Sequence, residues 1–365
     1  MTDFSKKTTH NKLKAIFLSN NRIDLRKIFI LAVVSVIFTA FIVLFSGWYI
    51  VLKSNTNNDK DVEFVIRKNF TIDSVINSLE KENILKSSKT FKIVTRLKKY
   101  DRYVKPGKYI IKPHQNNNEL INYLRLGNQT IVKLVFNNIR TIESLAGKMS
   151  TQIECDSVSL LKVLNDKEYL AQQNADTINV LANFIPNTYE VYWDIEPKVL
   201  VKRMLSEYKL FWNDKRLKKA EKLKLTPKEV CILASIVQEE TNKRSEMPVV
   251  AGVYVNRLKK RIPLQADPTV KFAIGDFSIK RILTVHLNVD SPFNTYKHYG
   301  LPPSVISMPT IQAIDAVLNC ENHKYLYFCA SPDFDGSHVF AKTLREHNNN
   351  ANKYRKALNK RRIFK

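Results

Sequence analysis

Along this chain the apolar positions first run unbroken, then fall into short periodic groups. Ile28–Leu52 is a stretch of 25 residues with no charged side chain, closed by Lys27 in front and Lys53 behind. As a helix it would reach about 37 Å, enough to span a hydrocarbon core with some tilt. Past a polar linker, Val62–Ile66 alternates with charged residues and predicts a strand. Thr71 offers an N-cap to a helix whose face is Ile72, Val75, Ile76 and Leu79, and Phe91, Val94 and Leu97 mark a second. Val104–Ile111 reads as a turn entering a strand, and Leu120, Tyr123 and Leu124 as a helix stopped at Gly127. These elements make an α+β module of about 70 residues.

A second region opens with a strand, Val132–Phe136, and a helix capped by Thr141 and faced by Ile142, Leu145, Ala146 and Met149. Phe184–Trp193, aromatic and broken by Pro186, is expected to be a loop. Helices follow over Pro197–Trp212, Pro227–Thr241 and Val249–Lys259. Past Arg261 polar residues and prolines predict loops, among them Leu264–Pro268 and Ser291–Pro309. Strands at Tyr325–Ala330 and His338–Phe340 precede a C-terminal helix. The expected class is α+β: one transmembrane helix, a small module, and a larger mixed α/β domain.

Charge orients the anchor. Residues 1–27 carry Lys6, Lys7, Lys12, Lys14, Arg22, Arg26 and Lys27 against Asp3 and Asp24. The positive-inside rule places this tail in the cytoplasm and the remainder outside. The whole chain has a net charge of +25, which alone would suit nucleic acid, anionic lipid or an anionic polymer. The topology argues against nucleic acid, and no zinc-finger spacing or aromatic-basic RNA signature occurs. The basic runs Lys215–Lys224 and Lys353–Lys365 read as solvated helix faces. Cys155, Cys231, Cys320 and Cys329 lack metal-type spacing, and disulfide pairing among them stays open. The seven histidines form no zinc motif, and the eight glycines no phosphate loop, so neither metal nor cofactor is expected.

The chemistry concentrates in Cys231–Glu240. In a helix, Glu240 shares a face with Leu233, Ile236 and Val237, which favours its neutral form and raises its pKa. A general acid at neutral pH needs that condition. Glu239 points about 100° away. By periodicity alone, a carboxylate at a helix end is more often a solvated edge residue or half of an ion pair.

Ala234–Thr241 (Ala-Ser-Ile-Val-Gln-Glu-Glu-Thr) resembles the signature helix of the YceG-like family, the MltG-type endolytic murein transglycosylases. Three further motifs follow in the family's order: Leu264–Val270, then Asn294-Thr-Tyr296 with Gly300-Leu-Pro-Pro303, then Tyr325–Phe328 with Glu346-His-Asn348. Phe184–Tyr189 is similar to the family's Pro-Asp-Thr-Tyr loop, with Asn187 in place of Asp. Gln238 stands where many relatives carry Glu, and Met308 and Thr310 replace a common Asn and Gly.

The resemblance implies a cytoplasmic tail at 1–27, a transmembrane helix at 28–52, a LysM-like module at 62–130 and a catalytic domain at 131–365. The enzyme would be held in the plasma (inner) membrane, catalytic domain outward. It would act on nascent peptidoglycan glycan strands, with cell-wall synthases as candidate partners. Cleavage of the β-1,4 bond from N-acetylmuramic acid to N-acetylglucosamine would leave a 1,6-anhydro end. Because the nucleophile is the substrate's own 6-hydroxyl, one carboxylate, Glu240, suffices as acid and then base. Gln265, Asp267, Asn294, Thr295 and Asn348 suit sugar hydroxyls and N-acetyl groups, while Tyr189 and Tyr296 suit stacking on a sugar face. Glu346 and His347 are assigned to orienting their neighbours. Two rival readings stand beside this one. One is a non-catalytic glycan-binding scaffold of the cell envelope. The other is a hydrolytic muramidase, needing a second carboxylate about 5–10 Å from Glu240, with Asp267 or Glu190 as candidates.

Overall fold

The computed structural model describes residues 25–279 and 281–361. Most of the expected cytoplasmic tail, residues 1–24, and the last four of the basic C-terminal run lie outside the described residues. Helix α1 (Leu25–Leu52) has no buried side chain, although Ile50 and Val51 pack partly against the core that follows. It is long and apolar enough to cross a membrane. So much bare apolar surface is unfavourable in water.

The chain divides into two compact units after Gln129. In the first, β1 (Val62–Ile66) pairs antiparallel with β2 (Gly107–Ile111), Val62 opposite Ile111. Alternation turns Phe64, Ile66, Tyr109 and Ile111 inward. They meet the apolar faces of α2 (Ile72–Lys81), α3 (Ser88–Leu97) and α4 (Asn117–Leu126). Thr71, Ser87 and Asn116 cap these helices, and Gly127 ends α4 at φ +76°. Asn55 and Asn117 are buried and joined at 2.7 Å; Asn55 also bonds the Ser87 backbone through both its amide atoms. Asn117 donates to the Ile50 carbonyl at 2.8 Å, tying the last turn of α1 to this unit.

The second unit is mainly helical. Its strands form two antiparallel ribbons, so it is α+β rather than a parallel α/β sheet. The first ribbon pairs β3 (Ile131–Val135) with β4 (Thr188–Tyr192). The expected loop at 184–193 is therefore half strand. The alternation that decides it puts Tyr189 and Val191 inside and Thr188, Glu190 and Tyr192 outside. Between them lie α5 (Ile142–Ser150), α6 (Ser157–Leu164) and α7 (Lys167–Gln172). Then come α8 (Pro197–Phe211), the basic α9 (Asp214–Leu223), α10 (Pro227–Glu240) and α11 (Met247–Lys259).

Of the expected loops, Leu264–Pro268 runs into a short helix, α12 (Asp267–Ile274), whereas Ser291–Pro309 holds neither helix nor strand and is followed by α13 (Ile311–Leu318). The prolines that suggested a break sit where helices accept them: Pro268 within the first turn of α12, and Pro309 just before the Thr310 cap of α13. The second ribbon, β5 (Tyr327–Ala330) with β6 (His338–Ala341), leads into α14 (Leu344–Lys360). No disulfide joins the four cysteines.

Candidate active site

The site is built around the end of α10. Thr226 and Glu229 form a reciprocal capping box at its start, and every residue from Val230 to Val237 is buried. One polar group in that run, the Ser235 hydroxyl, donates to the Ile232 carbonyl at 2.7 Å and accepts the Ile306 backbone N–H at 3.1 Å. The helix therefore cannot slide or rotate without breaking core packing, and its last residues are held in fixed directions.

Glu239 and Glu240 meet opposite fates. Glu239 receives both its hydrogen bonds from the Arg140 guanidinium, at 2.8 and 3.1 Å, and that guanidinium lies over the Phe277 ring. Glu240 has no cationic partner among the described residues. As a residue it is half-buried, but its carboxyl is enclosed, and burial pushes it up to about 7. The Tyr254 hydroxyl opposes this by donating to Oε1 at 2.5 Å, while the charge of Asp267 adds to the rise.

Tyr254 and Arg257 come from α11, one turn apart. Gly252 lets the 321–323 segment press against that helix, since a Cβ there would come within 2.6 Å of the Glu321 carbonyl. Asn256 binds the His323 and Tyr325 carbonyls at 2.8 and 3.1 Å, which fixes β5 beside α11. Arg257 in turn holds the Pro263 and Leu326 carbonyls at 2.9 Å and the Gln265 side chain at 2.5 Å. The Tyr296 hydroxyl donates to Asp267 at 2.6 Å, and enclosure together with that carboxylate raises its own pKa well above the usual phenol range.

Glu240 and Asp267 line two cavities. One, of about 360 Å³, is lined by Tyr254, Arg257, Gln265, Tyr296, Tyr327 and Phe328, with His347 stacked on Tyr327 at its edge. The other, of about 290 Å³, adds Arg140, Glu239, Lys271 and Arg281 to an apolar wall that includes Phe272 and Phe277. No group of three or more His, Cys, Asp or Glu capable of holding a metal occurs among the described residues.

The expected site residues separate into two sets. Glu240, Gln265, Asp267 and Tyr296 converge. Tyr189, Asn294, Thr295 and Asn348 do not reach the cavities. Tyr189 is buried on β4, stacked on Phe136, with its hydroxyl on the Ile185 carbonyl at 2.6 Å; so enclosed a ring cannot stack on a sugar. Asn294 donates to the Leu287 and Val289 carbonyls, both at 2.9 Å, and accepts from the Tyr296 N–H, so it shapes the loop that presents Tyr296. Thr295 is buried between the Ala266 N–H and the Thr269 hydroxyl, and it anchors the start of α12. Asn348 is exposed on α14, outside both cavities. Glu190 points outward from β4. Glu346 closes the capping box of α14 with Thr343.

Gln238, which departs from the family pattern, bonds the Met308 carbonyl and the Thr310 N–H, so this departure and those at 308 and 310 meet in space.

Sequence reasoning missed Tyr254, Arg257 and Arg140, and it named Tyr327 and Phe328 only within a motif, with no role assigned. A polar-tipped ring on the apolar face of the helix after the active one was the available signal for Tyr254. Arg140 lies 99 residues from Glu239 and gave none.

The sequence profile of the YceG-like family matches residues 64–353. The chain belongs to the YceG-like family. Among curated proteins, the endolytic murein transglycosylase of Bacillus subtilis (strain 168) is 25% identical over 307 residues, covering 80% of this chain and 84% of that protein. The endolytic murein transglycosylase of Streptococcus pneumoniae (strain ATCC BAA-255 / R6) is 24% identical over 357 residues, covering 86% of this chain and 63% of its own length. The crystal structure of a putative YceG-like protein from Listeria monocytogenes superposes with a TM-score of 0.52 at 26% identity, over 80% of this chain and 99% of that one. Of the residues in the family-like motifs, Glu240 and Asp267 line both cavities, and Gln265 and Tyr296 line the larger one.

Proposed function

We propose that this chain is a membrane-anchored endolytic lytic transglycosylase that cuts nascent peptidoglycan between N-acetylmuramic acid and N-acetylglucosamine. The observation that carries the reading is Glu240, a carboxyl with a pKa near 7 set where two cavities meet, in a chain of this family. Helix α1 supports a single-pass anchor, and the basic residues ahead of it support an N-terminus in the cytoplasm. The small first unit fits the role of a LysM-like module, and residues 131–365 that of the catalytic domain.

Protonated Glu240 donates its proton to the glycosidic oxygen as that oxygen's bond to the muramoyl C1 breaks. N-acetylglucosamine leaves with a free 4-hydroxyl. The Glu240 carboxylate then takes the proton of the muramoyl 6-hydroxyl, whose oxygen closes on C1. The acid is regenerated and no water enters. Tyr254 holds the carboxyl in one orientation and stabilises its charge between the two steps.

Hydrolysis is the second reading, and one observation favours it: Asp267 lines both cavities with Glu240 and its charge acts on it. The full chain in detergent micelles, given purified peptidoglycan beside its Glu240→Gln variant, separates the readings by mass spectrometry. Internal cuts with 1,6-anhydro ends, lost in the variant, are expected. Reducing ends would assign Asp267 the second carboxylate's part, and binding without cleavage by either protein would make the chain a scaffold.

A further inference from the structure

The first unit holds a cavity that the proposed reaction does not use. It measures about 290 Å³ and is lined by the last turn of α1, the segment that follows it and the start of α3. Its buried lining is the Asn55–Asn117 pair, whose amide donors are all spent. Asn55 donates to the Ser87 carbonyl and to Asn117, and Asn117 to the Ile50 carbonyl and the Thr90 hydroxyl.

The exposed part of the lining is different. The Lys53 and Lys86 ammonium groups meet only neutral oxygens, the Tyr49 hydroxyl for Lys53 and the Ser54 hydroxyl at 3.5 Å for Lys86. Neither lysine pairs with a carboxylate among the described residues, and no acid stands in the lining. An ammonium has three donors, so each keeps some in reserve. The Ser54 and Ser87 hydroxyls accept, from Lys86 and from the Thr90 N–H, and keep their own protons to donate. Helix α3, which Ser87 caps, has no acid in its first turn, so the positive end of its dipole adds to the same potential. Such a lining suits an anion with several acceptor oxygens.

Position decides what carries that anion. Tyr49 and Ile50 line the cavity from α1 itself, and the helix surface leading to them, including Phe41, Phe45 and Trp48, is apolar and exposed. A cationic head pocket continuous with bare apolar helix fits an amphiphile better than a free ion. With α1 across a bilayer, Tyr49 and Lys53 stand at headgroup depth. We infer that this cavity seats the phosphate of a membrane lipid, whose chains lie along α1. The inference rests on the proposed anchor for its depth in the bilayer, and not on the proposed reaction. A phospholipid headgroup and a lipid-linked pyrophosphate supply the same chemistry.

The test titrates the full chain in detergent micelles and reads retained lipid by native mass spectrometry. The probes are phosphatidylglycerol, an isoprenyl pyrophosphate, diacylglycerol and inorganic phosphate. A phosphate-bearing lipid should bind about tenfold more tightly than diacylglycerol. Lys53→Glu and Lys86→Glu should each erase most of that preference, and Lys86→Arg should keep it. Lys60→Glu, the same charge change on an exposed residue of this unit outside the cavity, should leave it intact. A preference confined to phosphatidylglycerol identifies a phospholipid, one confined to the pyrophosphate a lipid-linked carrier, and equal affinity the phosphate they share. Diacylglycerol retained equally, lipid displaced by equimolar inorganic phosphate, or a Lys60→Glu loss as large as that of Lys86→Glu would overturn the site. The anchor is tested apart: if alkaline carbonate washes the chain off reconstituted vesicles, the membrane reading fails, while the micelle titration still decides the cavity.

Discussion

The two units of this chain both bury polar side chains, to opposite ends. In the first, Asn55 and Asn117 bond each other, the Ser87 backbone and the Ile50 carbonyl, a neutral network that locks α1 onto its neighbours. In the second, α10 carries a carboxyl into an enclosed position and gives it a phenol as partner rather than a cation. Neutral amides satisfied by backbone stabilise; an ionisable group with no counter-charge is left reactive and costs stability when it ionises. Architecture and chemistry thus use the same physical device with the sign changed.

The comparison breaks most visibly at Glu240. Replacement by Gln should lower cleavage at least ~10³-fold, read as released anhydro-muropeptides, while the circular dichroism spectrum is kept. The same substitution should raise stability at pH 8. A carboxyl raised from 4.5 to about 7 in the folded state contributes stability below about pH 4.5 that is lost as pH rises through 7. The Gln variant should therefore exceed the parent by up to ~3 kcal/mol at pH 8, and match it at pH 4, in urea titrations.

In the first unit, Asn117→Ala should do the reverse. It strands Asn55 and the Ile50 carbonyl, destabilising that unit by about 2 kcal/mol by thermal melting, with kcat unchanged. Tyr254→Phe sharpens the contrast further. Its hydroxyl lowers the Glu240 pKa, so losing it should shift the alkaline limb of the pH–rate profile upward and cut kcat about tenfold. Asn348→Ala, on exposed α14, should leave kcat/KM within about twofold.

Local patterns made most elements legible. Alternation marked β1, and apolar spacing with Thr71 and Thr141 marked the starts of α2 and α5. Proline misled at Pro268, because a residue that ends one helix also begins another; at Pro309 the expected loop stands. Within the site, Glu240, Asp267, Gln265 and Tyr296 were visible as residue types in motifs. The same residue types misled at Asn294 and Thr295, which the fold uses for loop geometry, and at Tyr189, which it buries. Hydrogen-bonding capacity says nothing of which way a side chain faces.

What the sequence determined by itself was the length of the apolar first helix, the strand and helix periods, and a carboxylate on an apolar helix face, all properties of neighbours along the chain. The tertiary structure decided which partners that carboxylate has. Tyr254 is 14 residues away, Asp267 lies on a helix the sequence read as a loop, and Arg140 claims Glu239 from 99 residues off. Burial and charge act through space. No local period encodes a distance between segments brought together only by the packing of α10, α11 and α12.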